Sequence, residues 1–211
     1  MSVSSQKTTI STKSKQKNMK KSLILLIVFC SALVAHAQKD KREEGIKLGI
    51  KGGLNVANVM GDVKDVGIRT SINVGMLAEI IVTDKFSIQP ELLYSGQGAS
   101  NTSDGGGRYK LDYILLPVLA KFPIANRLSV EAGPQVGFLV SAKNKDNVSN
   151  ESIKDQYKTV DFGLDAGLEY ELGSGVIFQG RYNLGLTNIN NNDDNARISN
   201  AVISFSIGYL F

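Results

Sequence analysis

From Gly45 to Phe211 apolar and polar side chains alternate with a period of two, and no stretch carries the 3.6-residue period of an amphipathic helix. The ending "AVISFSIGYLF" shows the pattern at its plainest. Ile203, Phe205, Ile207 and Tyr209 alternate there with Val202, Ser204, Ser206, Gly208 and Leu210. Eight such segments read as β-strands, near residues 46–58, 70–82, 86–97, 109–122, 127–142, 159–172, 176–188 and 198–211.

The connections between them alternate in length. Three are tight ("TDK" at 83–85, "PIAN" at 123–126 and "GSG" at 173–175), and four are long and polar, at 59–69, 98–107, 143–158 and 188–197. Strict alternation puts every long loop at one end of an up-and-down meander and every tight turn at the other. Outer-membrane barrels have this layout, with short periplasmic turns and longer extracellular loops. The expected fold is therefore all-β: an eight-stranded antiparallel up-and-down transmembrane β-barrel spanning 46–211.

One register of the strands is apolar and free of charge, running for example through Ile46, Leu48, Ile50 and Leu54, then Ile72, Val74 and Met76. A cation at mid-membrane on that face would cost about 2–4 kcal/mol. Charges collect on the opposite register, where Lys47, Lys51, Glu79, Glu91, Lys121, Glu131, Asp165, Glu169 and Arg181 are expected to form an interior polar network. Periodicity alone fits equally a soluble barrel with its oily face inside, as in a lipocalin-like binder. Aromatic positions favour lipid. Phe86, Phe122, Tyr170, Phe178, Tyr209 and Phe211 fall near the tight-turn rim and Tyr94, Phe138 and Phe162 near the other, as two interfacial girdles with aliphatic residues between.

The fourth segment, "YKLDYILLPVLAKF", is apolar on both faces; the favoured register turns Ile114, Leu116, Val118, Ala120 and Phe122 outward and Lys121 inward. Pro90, Pro117 and Pro134 lie inside strands of a sheet that has no edge, so bulges are expected beside them.

The start of the chain changes the charge picture. "NMKKSLILLIVFCSALVAHAQ" has a basic start, an apolar core too short to span a membrane, and a small-x-small site. Residues 19–37 thus read as a secretory signal peptide, 1–18 as a disordered extension with Met19 the expected true start, and 38–45 as a periplasmic lead-in. Removing 1–37 leaves 18 basic against 20 acidic side chains, so the formal charge of +4 gives no basic surface for nucleic acid. The same cut removes Cys30 and His36, the only cysteine and histidine, which excludes thiolate and imidazole catalysis, Cys/His zinc sites and disulfides.

The stretches "GIKGGLNVAN", "QPELLYSGQG", "YILLPVLAKF", "EAGPQVGFLVSAK", "DFGLDAGLEYEL", "GRYNLGLTNI" and "ISFSIGYLF" resemble the PorT-type outer-membrane β-barrel proteins of Bacteroidetes, often labelled porin-like. The resemblance covers 45–211 and places prolines where Pro90, Pro117 and Pro134 stand. It implies an eight-stranded barrel in the outer membrane, inserted by the barrel-assembly machinery through the C-terminal aromatic strand that ends in Phe211. It implies no catalytic residue.

Interior carboxylates could pair for acid–base work, but an eight-stranded interior is just wide enough for side chains to fill, which favours a structural network. "SDGGGR" lacks the Lys-Ser/Thr of a phosphate loop, and "NNNDDNAR" lacks the spacing of a calcium loop. The expectation is a monomeric, non-enzymatic barrel without cofactor or metal, in contact with outer-membrane lipids and, during insertion, the assembly machinery. A narrow solute channel and a soluble lipocalin-like binder stand as alternatives.

Overall fold

The computed structural model describes residues 45–62, 66–101, 108–145, 150–191 and 196–211. The expected extension, signal peptide and most of the lead-in, residues 1–44, lie outside these. The strands are β1 (Ile46–Gly61), β2 (Val66–Gly67), β3 (Arg69–Thr83), β4 (Phe86–Asn101), β5 (Arg108–Ala125), β6 (Leu128–Lys145), β7 (Asn150–Ser152), β8 (Val160–Glu171), β9 (Val176–Gly185) and β10 (Ile198–Leu210), with one 3-10 turn, η1 (Lys154–Gln156).

Eight long strands pair in the order β4-β3-β1-β10-β9-β8-β6-β5, and an antiparallel β4–β5 ladder closes the ring. Every partner along that ring is the sequence neighbour, except where β1 meets β10. The result is a closed eight-stranded up-and-down transmembrane barrel with no free edge.

Side-chain direction follows the pleat. Ile50, Ile72, Met76, Leu92, Val118, Leu164, Leu168, Phe178 and Ile207 all face outward and are exposed, Ile50 by 56%. Lys51, Glu79, Glu91, Lys121, Glu131, Asp165, Glu169 and Arg181 are all buried inside. A soluble binder with its apolar face sealed within is thereby excluded. On β5 the outward set is Ile114, Leu116, Val118, Ala120 and Phe122, and Lys121 points in.

Strand limits differ from those the pattern predicts. At the loop end the strands run further: β1 to Gly61, β4 to Asn101 and β6 to Lys145, while β2 pairs back on β4 and β7 on β6. Backbone groups above the membrane still gain from ladder bonds, so polar sequence does not stop a strand. Residue 127 is not in a strand; the turn is 126–127, with Arg127 at a φ of 68°. β9 stops at Gly185, and 186–190 instead folds over the mouth, where Asn190 bridges Tyr157.

The expected bulges beside the prolines are absent. Gln89 pairs with Leu119 and Leu93 with Leu115 in one unbroken register across Pro90, and Pro117↔Gln135 and Ala120↔Ala132 keep one register across Pro117 and Pro134. A missing donor removes ladder pairs locally without needing an inserted residue. The irregularities fall at Ile81/Thr83, Asp112/Tyr113 and Pro123/Ala125.

Inside, the packing is layered. Leu77, Ile177 and Leu210 form an apolar cluster toward the turn end. Toward the loop end Leu93, Leu111, Tyr113, Leu115, Leu139, Ala142, Ile153 and Ile189 form a larger one, with Tyr109, Tyr157 and Ile198 packed on it. Ile153 and Ile189 come from the segments between strands, so the mouth is closed by the chain's own connections, through Ile153 N–H to Ala142 O (3.1 Å) and Lys158 N–H to Ile189 O (2.8 Å).

Candidate functional site

The charged layer lies between these clusters, and the pleat explains how it forms. Residues two apart on one strand share a face, and residues opposite each other across a ladder share it too. Thus Lys121 of β5 lies opposite Ser87 of β4 and Glu131 of β6, and Glu169 of β8 opposite Gln179 of β9. Charges that are far apart in sequence therefore converge on the barrel axis.

Arg181 is the centre. Its Nη1 and Nη2 donate to Glu91 Oε2 (2.8 Å) and Oε1 (2.9 Å), a two-pronged pairing, while Nε donates to Glu131 Oε1 at 2.9 Å and Nη2 lies 2.7 Å from the same oxygen. Lys51 Nζ donates to Glu91 Oε1 (2.9 Å), Glu91 Oε2 (2.8 Å) and Gln179 Oε1 (2.8 Å), which uses all three of its protons. Lys121 bridges Glu169 and Glu79, the latter at 3.1 Å, and Ser87 Oγ donates to Glu79 Oε1 at 2.8 Å. Gln179 Nε2 donates to Glu169 Oε2 (2.6 Å) and Glu131 Oε2 (3.3 Å), joining the two halves. Three cations thus hold four glutamates in one connected network. Buried charges survive only when paired and hydrogen-bonded in this way.

Two of the nine expected members stand apart. Lys47 is at the turn-end mouth, where its Nζ meets Glu171 Oε1 at 2.9 Å with roughly a third of each side chain exposed. Periodicity assigns a face but not a depth, and Lys47, the second residue of β1, lies at the rim. Asp165 is buried but bonded to an amide: Asn183 Nδ2 donates to its Oδ1 at 2.8 Å. Asp165 lines a cavity of about 30 Å³ together with Asn55, Asn73, Ser95, Gln135 and Asn183, room for one or two water molecules.

A further polar cluster escapes the sequence reading. Asn200 Nδ2 donates to Asp161 Oδ2 (2.8 Å) and to the hydroxyl of Tyr113 (3.3 Å), whose ring belongs to the loop-end apolar cluster, and all three are buried. Asp161 and Asn200 sit on the charge-bearing register near strand ends, the one signal that could have found them.

The outward aromatics fall in two rows. Phe86 and Phe122 stack with ring centroids 5.1 Å apart, Tyr170 lies opposite Phe178, and Tyr209 meets Phe211 edge-on at 5.3 Å. At the other end Tyr94 lies opposite Ile114 and Ile114 opposite Phe138, with Phe162 opposite Val136 beside them. Phe162 and Tyr170 are eight residues apart on β8, about 20 Å of height at the usual tilt, close to the apolar band of such barrels. The zone between is not purely aliphatic as the pattern suggested: Tyr182 and Phe205 also face outward, and Phe205 covers Gly180, whose missing side chain leaves a gap on the strand beside it. Phe211 is 73% exposed, and its backbone N–H donates to Leu48 O at 2.7 Å, which anchors the end of the chain to β1.

Among the described residues no group of His, Cys, Asp or Glu is arranged to hold a metal ion. What the interior does chemically is hold charge in place and obstruct the lumen.

The sequence model of the family described as outer membrane protein beta-barrel domain matches residues 36–191. A search of curated proteins found no match. Among solved structures, neisserial surface protein A shares the fold with a TM-score of 0.55 at 13% identity, over 80% of this chain and 100% of that one. Ail, the attachment invasion locus protein of Yersinia pestis, aligns with a TM-score of 0.51 at 16% identity, over 80% of this chain and 99% of that one. Since the family match spans most of the sequence and the barrel it describes is the one the strands build, the chain belongs to the outer membrane protein β-barrel domain family.

Proposed function

We propose that this protein is a resident, non-catalytic barrel of the Gram-negative outer membrane that supports the envelope or presents its loop end to partners. The observation that carries this reading is the inversion of the barrel: charge-free, exposed aliphatic residues outside and a connected network of Arg181, Lys51, Lys121 and four glutamates inside. Such a surface needs lipid around it, and such an interior leaves no open bore. The stretches quoted above support placement in the PorT-type branch of Bacteroidetes. They also support delivery by a signal peptide and insertion by the barrel-assembly machinery through the strand ending at Phe211. A closed ring without an unpaired edge is suited to a monomer.

Fractionation tests the first part. The protein should band with outer-membrane markers and migrate faster on a gel when unboiled; recovery as a soluble species without detergent would overturn it. A planar bilayer tests the second, with no steady conductance expected. Steady single-channel steps would instead favour the narrow solute channel, for which the polar cavity beside Asp165 is the supporting feature.

A further inference from the structure

The buried charges of the lumen do not balance. When all are ionised, five buried carboxylates, those of Glu79, Glu91, Glu131, Glu169 and Asp165, share three cations, Lys51, Lys121 and Arg181, which leaves two negative charges unmatched. Hydrogen bonding shows the same deficit independently. Among the described residues six buried side-chain atoms have no partner: Glu79 Oε2, Gln89 Oε1, Gln97 Oε1, Asp161 Oδ1, Asp165 Oδ2 and Asn200 Oδ1. Every one is an oxygen that accepts. A lumen short of donors and of positive charge together is suited to a cation, because a buried negative charge persists only when it is matched.

Two of these oxygens belong to one place. Asp165 and Gln97, 3% and 2% exposed, both line the cavity of about 30 Å³, which has Lys51 and Arg181 on one side and Leu93 and Leu115 of the loop-end cluster on the other. The remaining polar atom of each side chain is already held: Asn183 Nδ2 donates to Asp165 Oδ1 at 2.8 Å, and Gln97 Nε2 donates to Ser95 Oγ at 3.4 Å. Gln135, Asn183 and Ser204 bring further neutral oxygens to the same wall. Lys51 and Arg181 border the space without serving it. All three protons of Lys51 go to Glu91 and Gln179, and the guanidinium of Arg181 pairs with Glu91 and Glu131, so these two cations are matched by two glutamates within the network. The bonded partner of Asp165 is a neutral amide. A water molecule could donate to both free oxygens but would bring no charge. One carboxylate among neutral oxygens, in a space the size of one or two waters, suits a single small hard cation. It is a donor set distinct from the clusters of acidic or imidazole ligands that hold divalent and transition metals.

We propose that this cavity binds one monovalent cation of sodium size, through Asp165 Oδ2 and Gln97 Oε1 with neutral oxygens of the wall completing its shell. This rests on the closed, filled lumen described under the proposed function, and it replaces the metal-free interior expected from the sequence. The ion is a structural counter-charge: it supplies the positive charge that Asp165 lacks, and the stability of the barrel depends on it. A divalent ion would bring one charge too many beside Lys51 and Arg181.

The test uses the full-length mature protein refolded into phosphatidylcholine vesicles, in sodium chloride or in choline chloride at equal ionic strength. Refolding supplies the ion while the lumen is still open, and choline is too large for the cavity. The unboiled gel shift establishes insertion first, and a planar bilayer in sodium chloride establishes that the lumen is closed. A steady sodium current would sink the closed lumen and this site with it, whereas a silent bilayer leaves the site to be judged by stability alone. Above the half-filling concentration, each tenfold rise in sodium should raise the folding equilibrium constant about tenfold, and choline should not. Asp165→Asn removes the charge that holds the ion and should abolish the sodium response while the variant still inserts and folds in choline. Gln97→Met should need more sodium for the same gain. Glu171→Gln, which removes an acid at the turn-end rim, should respond as the wild type does. Equal stability in the two salts, a sodium response that survives in Asp165→Asn, or its loss in Glu171→Gln would overturn the proposal.

Discussion

Arg181→Met tests whether the lumen network holds the barrel together. The substitution keeps most of the side-chain volume and removes only the guanidinium. Glu91 would still be held by Lys51 Nζ at 2.8 and 2.9 Å and by Gln89 Nε2 at 2.8 Å. Among the described residues, Glu131 would keep only the hydrogen bond from Gln179 Nε2 at 3.3 Å, a neutral and long partner. One carboxylate, not two, is therefore stranded in a buried site. Breaking a buried pair in this way costs about 3–5 kcal/mol, roughly two to three and a half powers of ten in the folding equilibrium. Reversible urea unfolding in lipid vesicles, followed by the unboiled gel shift, measures it. Adding Glu131→Gln removes the stranded charge and should restore more than half of the loss. A single variant within about 0.5 kcal/mol of the wild type, or a double variant no better than the single, would refute the claim that the charges are held by mutual neutralisation.

Val118→Arg places a cation on the outward face of β5 midway between Phe122 and Ile114, which stand in the two aromatic rows, and should cost about 2–4 kcal/mol in vesicles, read by the same unfolding assay; equal stability would mean that this face does not meet hydrocarbon. Gly53→Ala should prevent correct β1–β10 pairing, because an added Cβ would overlap the Phe205 carbonyl oxygen, and the unboiled shift should be lost. Deleting Phe211 removes the exposed aromatic and its bond to Leu48 O, and should lower the fraction of protein assembled in cells; unchanged assembly would reject its role as the terminal signal. Tyr113→Phe removes the hydroxyl acceptor of Asn200 and should cost about 0.5–1.5 kcal/mol, with no change in the gel shift.

Which residues face outward was legible because one face of each strand meets a single medium. Ile50, Met76 and Leu168 alternate with Lys51, Leu77 and Glu169, and a one-residue slip would put charge into lipid. The interior was legible only in part. A lumen that mixes Leu111, Tyr113 and Leu115 with Lys121 on one strand has no uniform polarity, so β5 looked apolar on both faces. Depth was illegible too: Lys47 and Lys51 share a register, yet one ends at the mouth and the other in the centre. Asp165 shows why partners are harder than faces. Whether an inward acid meets a cation depends on the stagger of strands across the barrel, which no single strand encodes. On β6 the ladder passes from Leu139 to Ser141 opposite Tyr113 and Asp112, and the extra residue, Val140, has no glycine or proline beside it to mark it.

The seam between β1 and β10 has a bearing on biogenesis. Gly49 pairs with Leu210, so the ring cannot shut until all the strands between them have been made and β10 has reached β1. Until that moment seven finished hairpin ladders would still expose two ragged margins of amide and carbonyl groups. Such margins are templates for pairing with other chains, and the ladder that joins the first long strand to the last is the one that removes them.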